Sequence, residues 1–406
     1  MDLRQLRGLE IARQKQVRET KDGWLVKSQS GAGFYRVDEN FDCTCPDSQL
    51  HKKSCKHAFA VRFYLKTGAE KPMNAVVEKR PTYPQVWSAY TPAQNSEIQL
   101  FDELLKDLVQ EIEEPKQVMG RPRLSLKEQV FCSVQKVYSQ LSSRRAHSLY
   151  KNAESKSQIA RAPNYNAVNK VLNLPELTPI LHHLIMVSAS PLKSVESSFA
   201  IDSSGFRTRC FGQYSEQKFG LQRDHKWIKA HACVGVKTNV VTAIEVTKED
   251  SADCPQFPVL IQKTAEGGFK IQEVSADKAY NSRENYNVVG SIGGQAYIPF
   301  MSHTRGKAKG SLLWKKAFHY FQLHADEFYE HYHLRSNVES TFAAIKKKFG
   351  DTLKNKNYIA QVNELLCKII AHNIVVVIHE TRELGINPTF EKALKEENSK
   401  KVGGCV

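Results

Sequence analysis

The sequence predicts a multi-domain protein: a mixed α/β core preceded by a helical domain and by a small N-terminal metal-binding module. Three observations predict it. Residues 43–57 hold three cysteines and a histidine in two closely spaced pairs. From Ser197 the apolar pattern changes from helical to strand-like, and two of the apolar runs end in carboxylates, Asp202 and Asp277. Near the C-terminus Tyr332, Arg335, Glu339 and Lys346 recur at steps of three, four and seven. At about 100° per residue, all four would fall within about 60° of arc on one α-helix.

The N-terminal module is read first. Trp24-Leu25-Val26 and Phe34-Tyr35-Arg36-Val37 alternate like strands around a Gly-rich turn at 30–33, which predicts a hairpin. Cys43-Thr44-Cys45 follows, and ten residues past Cys45 comes Cys55-Lys56-His57, opening a helix. Three thiolates and one imidazole make a closed tetrahedral zinc site with no position left for chemistry. The module is assigned residues 1–70, with Cys43, Cys45, Cys55 and His57 as ligands of one structural Zn²⁺. His51 lies in the spacer and is set aside.

Residues 71–118 read as a linker, rich in Pro, Asn, Thr and Tyr, ending in an amphipathic helix capped by Asn95 or Ser96. The stripe Ile98, Phe101, Leu105, Leu108, Ile112 follows a three-four repeat that suits packing on its own domain or a small dimer seam. Gly120-Arg121-Pro122-Arg123 resembles the core of an AT-hook, whose extended Arg121 and Arg123 would enter a minor groove; a basic interdomain turn fits equally. Ser125-x-x-Glu128 is a capping box. Helices are expected behind it, from Ser142, over 165–172, and from Pro175 to about Val187. Residues 119–195 are read as a helical, helix-turn-helix-like DNA-binding domain.

Residues 196–385 are read as the catalytic domain. A long hairpin is expected over 228–246, then a helix over 251–264, a strand over 271–276, a strand over 295–300 and a long helix over 358–384 stopped by Gly385. Three carboxylates from separate elements, Asp202, Asp277 and Glu339, can converge on two divalent ions, Mg²⁺ or Mn²⁺. Val338, Phe342, Ile345 and Phe349 form the packing stripe of the Glu339 helix. Trp314 is expected to be packed rather than free to stack on a base. Residues 386–406 are read as a flexible tail.

Charge agrees with a nucleic-acid partner. The 406 residues carry 58 Lys and Arg against 43 Asp and Glu, a formal charge of +15, which favours a polyanion. The N-terminus does not read as a signal peptide, and the apolar run 369–378 is too short to span a bilayer and contains His372 and Asn373. A cytoplasmic protein without membrane contact is therefore expected.

The segment 119–385 resembles an insertion-sequence DDE transposase, of the branch with Tyr-x2-Arg-x3-Glu-x6-Lys. Tyr332, Arg335, Glu339 and Lys346 fit that motif without a gap; Ala200-Ile201-Asp202-Ser203-Ser204-Gly205 resembles the first-Asp motif and Ala276-Asp277-Lys278-Ala279-Tyr280 the second. The N-terminal pattern resembles the SWIM zinc finger. The resemblance implies a ribonuclease-H-like catalytic domain holding two Mg²⁺ (or Mn²⁺) ions on Asp202, Asp277 and Glu339. Arg335 and Lys346 would clamp phosphates, Tyr332 would donate a hydrogen bond to one, and Lys278 would add a contact. The implied function is binding of double-stranded DNA at terminal inverted repeats, cleavage there and transfer of the 3′-OH ends to target DNA, by a homodimer on DNA in a prokaryotic, nucleoid-associated setting. Two rivals are a nuclease of the same fold that cuts without joining and a DNA-binding or adaptor protein on a retired transposase scaffold.

Overall fold

The computed structural model describes residues 3–14, 16–20, 22–28, 33–51, 54–66, 86–117, 119–120, 123–208, 227–301, 303–388 and 390. Arg121, Pro122 and nearly all of the tail expected over 386–406 lie outside them. The chain forms two compact units, Met1–Arg80 and Pro81–Val406.

In the first unit, helix α1 (Leu3–Arg13) leads into an antiparallel sheet of β1 (Val17–Thr20), β2 (Gly23–Lys27) and β3 (Phe34–Val37). The expected hairpin is β2–β3; α1 and β1 are additions that the charged first twenty residues hide. Helices α2 (Pro46–His51) and α3 (Lys56–Lys66) follow. Ile11, Val17, Val26, Val37, Ala58 and Val61 close a small core together with the three cysteines. Gly8 permits the close approach of α1 to α3: a Cβ there would stand 2.6 Å from the Phe59 Cβ and 2.9 Å from the Lys56 carbonyl.

The second unit begins with α4 (Trp87–Asn95), where a linker was expected; Pro92 and the polar residues around it disguise a helix. Ser96 stands at the N-cap position of α5 (Glu97–Leu108) without capping it: its hydroxyl donates back to the Pro92 carbonyl at 2.9 Å. Phe101, Leu105, Leu108 and Ile112 are buried in the unit's own core, whereas Ile98 is exposed. Helix α6 (Leu126–Ser139) is capped by Ser125, which accepts from the Glu128 N–H. The box is only half made. Glu128 turns to the Ala160 N–H, while Glu114 accepts from Leu126 N at 2.9 Å and Lys127 N at 3.1 Å. Helices α7 (Ser143–Ser155), α8 (Tyr165–Leu172) and α9 (Leu177–Ala189) follow.

The sheet comprises β4 (Ser198–Arg207), β5 (Trp227–Gly235), β6 (Val241–Lys248), β7 (Glu273–Ala276) and β8 (Gln295–Tyr297), in the order β6-β5-β4-β7-β8. The first three form an antiparallel meander; β7 and β8 run parallel to β4. Helix α10 (Gln256–Glu266) connects β6 to β7, and α11 (Arg283–Ser291) connects β7 to β8. Then come α12 (Leu312–Leu323), α13 (Ala325–His333), α14 (Ser336–Phe349) and α15 (Tyr358–Leu384), the last stopped by Gly385 at φ 67°.

Helix α15 is buried continuously from Ala360 to Ile378. The helix is long and apolar enough to cross a membrane by length and composition, contrary to the short span read from the sequence. Yet 94% of the apolar window is buried inside the protein, where its asparagines and its glutamate are hydrogen-bonded. Asn373 donates to the Val241 carbonyl at 2.8 Å and accepts from the Val241 N–H at 3.0 Å. Asn363 donates to the Leu172 carbonyl at 2.9 Å and accepts from Thr178 Oγ1. Glu364 receives the N–H groups of Lys354 and Asn355. Such pairing is what lets amides and a carboxylate sit in a core. Through it, one helix ties α8 and α9 to the sheet, and all of them share one hydrophobic core.

Candidate active site and metal centre

Strand β4 begins the site. Phe199, Ala200 and Ile201 are buried, and Asp202 is half-buried. The sequence placed Asp202 at the end of a short strand; it lies mid-strand, opposite Ala232 on β5. Its neighbours Ser203, Ser204 and Gly205 are weak strand formers, so propensity alone ends the strand too early. The parallel ladder between β4 and β7 pairs Ile201 with Ala276 and stops. The next residue on each strand is a carboxylate, Asp202 and Asp277. Residues level with each other on adjacent strands stand about 4.8 Å apart, so the register sets these two side by side.

Beyond Asp277 the chain turns into a 3₁₀ turn, Lys278–Tyr280, capped by the Asp277 carboxylate, which accepts from Lys278 N at 2.7 Å. Tyr280 is fully buried beneath it; burial raises its phenol above the ordinary range, and the charges of Asp253, Asp202 and Asp277 add to this. Lys278 is exposed.

Glu339 arrives on α14. The sequence placed Tyr332, Arg335, Glu339 and Lys346 on one helix; the structure divides them. Tyr332 lies in the last turn of α13, Arg335 forms the joint, and Glu339 and Lys346 ride on α14. At the joint the hydrogen bonds tighten to three-residue steps, Leu334 N to His331 O and Arg335 N to Tyr332 O. The four residues still share a side. The Arg335 guanidinium lies 5.9 Å from the Tyr332 ring centroid and pairs with Glu339 one turn on. Val338, Phe342, Ile345 and Phe349 are buried, anchoring the stripe about a quarter turn away.

Arg335 also pairs with Asp202. The Asp202 and Arg335 side chains are each 20% exposed, and Glu339 is 56% exposed. Burial raises the Asp202 carboxyl above its ordinary value. The Ser203 N–H and Arg335 oppose this, and Glu339 and Asp277 push further up. Burial works against the charge of Arg335, but Asp202, Tyr332 and Glu339 outweigh it and hold it above its ordinary value. The Tyr332 phenol is raised by burial, with Asp277 and Asp202 adding and Arg335 opposing. Lys346 donates to Ser204 Oγ at 2.8 Å and lies 5.1 Å over the Phe206 ring; burial draws its amine below the ordinary value. Asp202, Ser204 and Phe206 share one face of β4, and α14 lies along that face.

Three carboxylates against one engaged guanidinium leave a negative site lined with hard oxygen donors, which suits a divalent cation such as Mg²⁺. Arg335 stands between Asp202 and Glu339, paired with both.

In the first unit, Cys43, Cys45, Cys55 and His57 are all buried, and their ligand atoms lie within 4.8 Å of one another. Cys43 pairs with Val37 at the sheet edge, Cys45 precedes α2, and Cys55 precedes α3 with His57 in its first turn. His57 Nδ1 is 3.9 Å from both Cys43 Sγ and Cys55 Sγ. A hydrogen bond from the Cys43 thiol lowers Cys55 to about 3, against its burial, with His57 and the Ala58 N–H adding. Burial raises Cys45. Three soft sulfurs and one imidazole at this spacing suit tetrahedral Zn²⁺.

Of the other expected residues, Arg123 lies in the loop before α6, where its N–H donates to Gln117 Oε1 at 2.9 Å. Arg121 is outside the described residues. Trp314 is packed at 4% exposure. Sequence reasoning missed Ser204 and Tyr280 as neighbours of the carboxylates. The alternation of β4 and the Asp277–Tyr280 spacing were the available signals.

Residues 193–374 match the model of a family described as the transposase DDE domain. That segment contains every carboxylate and cation of the site. Among solved structures, a cryo-EM structure of the piggyBac transposase synaptic complex with hairpin DNA aligns over 78% of this chain and 80% of that one, at 9% identity and a TM-score of 0.34.

Proposed function

We propose that the chain is a DDE transposase that binds the terminal inverted repeats of its own mobile element, cleaves there and transfers the 3′-OH ends to target DNA. The match of residues 193–374 to the transposase DDE domain supports the family. The observation that carries the reading is the register of β4 and β7. It leaves Asp202 and Asp277 side by side, with Glu339 linked to Asp202 through Arg335. The antiparallel meander with two parallel strands beyond it supports a ribonuclease-H-like core.

Asp202, Asp277 and Glu339 would hold two Mg²⁺ or Mn²⁺ ions. Bound there, the ions would supply charge neutralisation at the phosphate and an activated attacking oxygen. The protein's own groups do the rest. Arg335 offers a planar fork that fits a phosphate bidentately. Lys346, propped by Ser204 and Phe206, places a point charge along the same face. Tyr332 stays protonated and donates, since its phenol titrates above the ordinary value. Lys278 lies next to Asp277 and would steady the strand there. The Cys/His unit would act as a structural SWIM-type zinc finger that contacts DNA or a protein, and a homodimer would hold two ends together.

Nicking of a duplex carrying the element's end in Mg²⁺ or Mn²⁺, followed by joining of the labelled end to a plasmid, tests the reading. Cleavage without joining would leave a nuclease; binding without cleavage would leave a DNA-binding protein.

A further inference from the structure

We propose that the cavity between the turn after Asp277 and the loop 303–311 is a phosphate-binding site for the DNA strand flanking the cut, a proposal that rests on the transposase reading. The cavity has a volume of about 470 Å³ and is lined by Asn281, Arg283, Arg305, Lys307, Lys309 and Trp314, among others. From Met301 to Ala325 the sequence holds five Lys and Arg and no Asp or Glu. Arg305, Lys307 and Lys309 are exposed, and among the described residues no ion pair engages them with a carboxylate. Three uncommitted cations around a concave surface make a focused positive field.

The cavity is built rather than incidental. Arg283 donates from Nε to the Ala308 carbonyl at 3.0 Å and from Nη2 to the Lys307 carbonyl at 3.1 Å, and its guanidinium lies 4.3 Å over the Trp314 ring. Trp314 Nε1 donates to Asn281 Oδ1 at 2.8 Å. Asn281 in turn donates to the carbonyls of Ile298 and Pro299, both at 3.1 Å. The loop that presents the cations is thereby tied to the turn that starts at Asp277, so little ordering is left for binding.

Position selects the ligand. Asn281 is four residues past Asp277. At about 2 Å of rise per residue in a 3₁₀ turn, the cavity edge lies within roughly 8 Å of that carboxylate's backbone. That distance is on the order of one or two nucleotide steps along a strand. A strand held at Asp277 would lay its neighbouring phosphates on Arg305, Lys307 and Lys309.

The test uses the full chain and a fluorescein-labelled DNA duplex, without divalent metal, at several KCl concentrations. Each lost phosphate contact flattens the slope of log K against log salt by about 0.9, so Arg305→Ala/Lys307→Ala/Lys309→Ala should flatten it by about two to three. Lys307→Arg/Lys309→Arg should keep the wild-type slope. An unchanged slope and affinity in the triple alanine variant, with an unchanged melting temperature, would overturn the site. Failure of the wild-type protein to bind any duplex would instead overturn the transposase reading, and this proposal with it.

Discussion

The guanidinium of Arg335 joins Asp202 on β4 to Glu339 on α14, donating through Nη1 to the first and Nη2 to the second. A cation already spans two of the three carboxylates, so a divalent ion arriving there must compete with it. Arg335→Ala should therefore bind Mn²⁺ more tightly than wild type in the absence of DNA, read by titration calorimetry. The same variant should cleave at least about a hundredfold more slowly, because the phosphate loses its fork of donors. Weaker Mn²⁺ binding in Arg335→Ala would show that the arginine supports the metal site instead of competing with it.

Glu339→Gln keeps the shape of the side chain and removes its charge. Nicking in Mn²⁺ should fall at least about a hundredfold. Duplex affinity without metal should hold within a few-fold, since one carboxylate fewer does not weaken a phosphate contact. Full nicking by this variant would exclude Glu339 from the site.

Freshly purified protein should contain about one zinc per chain by elemental analysis. Cys43→Ser/Cys45→Ser should lose it and release the small Ile11–Val26–Val61 core of the first unit, seen as loss of a low-temperature melting step. Wild type purified without zinc would remove the metal-centre assignment.

Stability should fall with acid through His372. Burial lowers this histidine to about 4, with Nε2 set 2.9 Å from the Asn239 carbonyl. Its ordinary value is 6.5, so the unfolded chain takes up a proton between pH 6.5 and 4 that the folded chain refuses. Unfolding is favoured progressively as pH drops through that window, and the His372 contribution is complete above it. His372→Asn should show a shallower dependence of melting temperature on pH between 4 and 7. An unaltered dependence would mean that other buried groups, such as His231, dominate.

Much of the fold was readable where pattern is local. The helices at 143–155, 165–172 and 358–384 announce themselves by apolar period, capping residues and a terminal glycine. The β5–β6 hairpin does so by alternation. What was hidden depends on contacts far apart in sequence. No local signal says that β7 pairs with β4, so the adjacency of Asp202 and Asp277 had to come from the sheet. The helical spacing of Tyr332, Arg335, Glu339 and Lys346 was visible, but the joint at Leu334–Arg335 was not, because its residues are compatible with an unbroken helix. Helix α4 was masked by Pro92, and the basic cavity by the fact that Arg283 and Trp314 meet only in three dimensions.

Helix α15 bears none of the reactive groups, yet the helices over 165–189 and the edge strand β6 both hydrogen-bond to it. A product truncated ahead of Tyr358 would bare the apolar side of each and satisfy neither. Such fragments should precipitate on expression instead of staying in solution. A soluble, duplex-binding fragment covering 1–357 would contradict this.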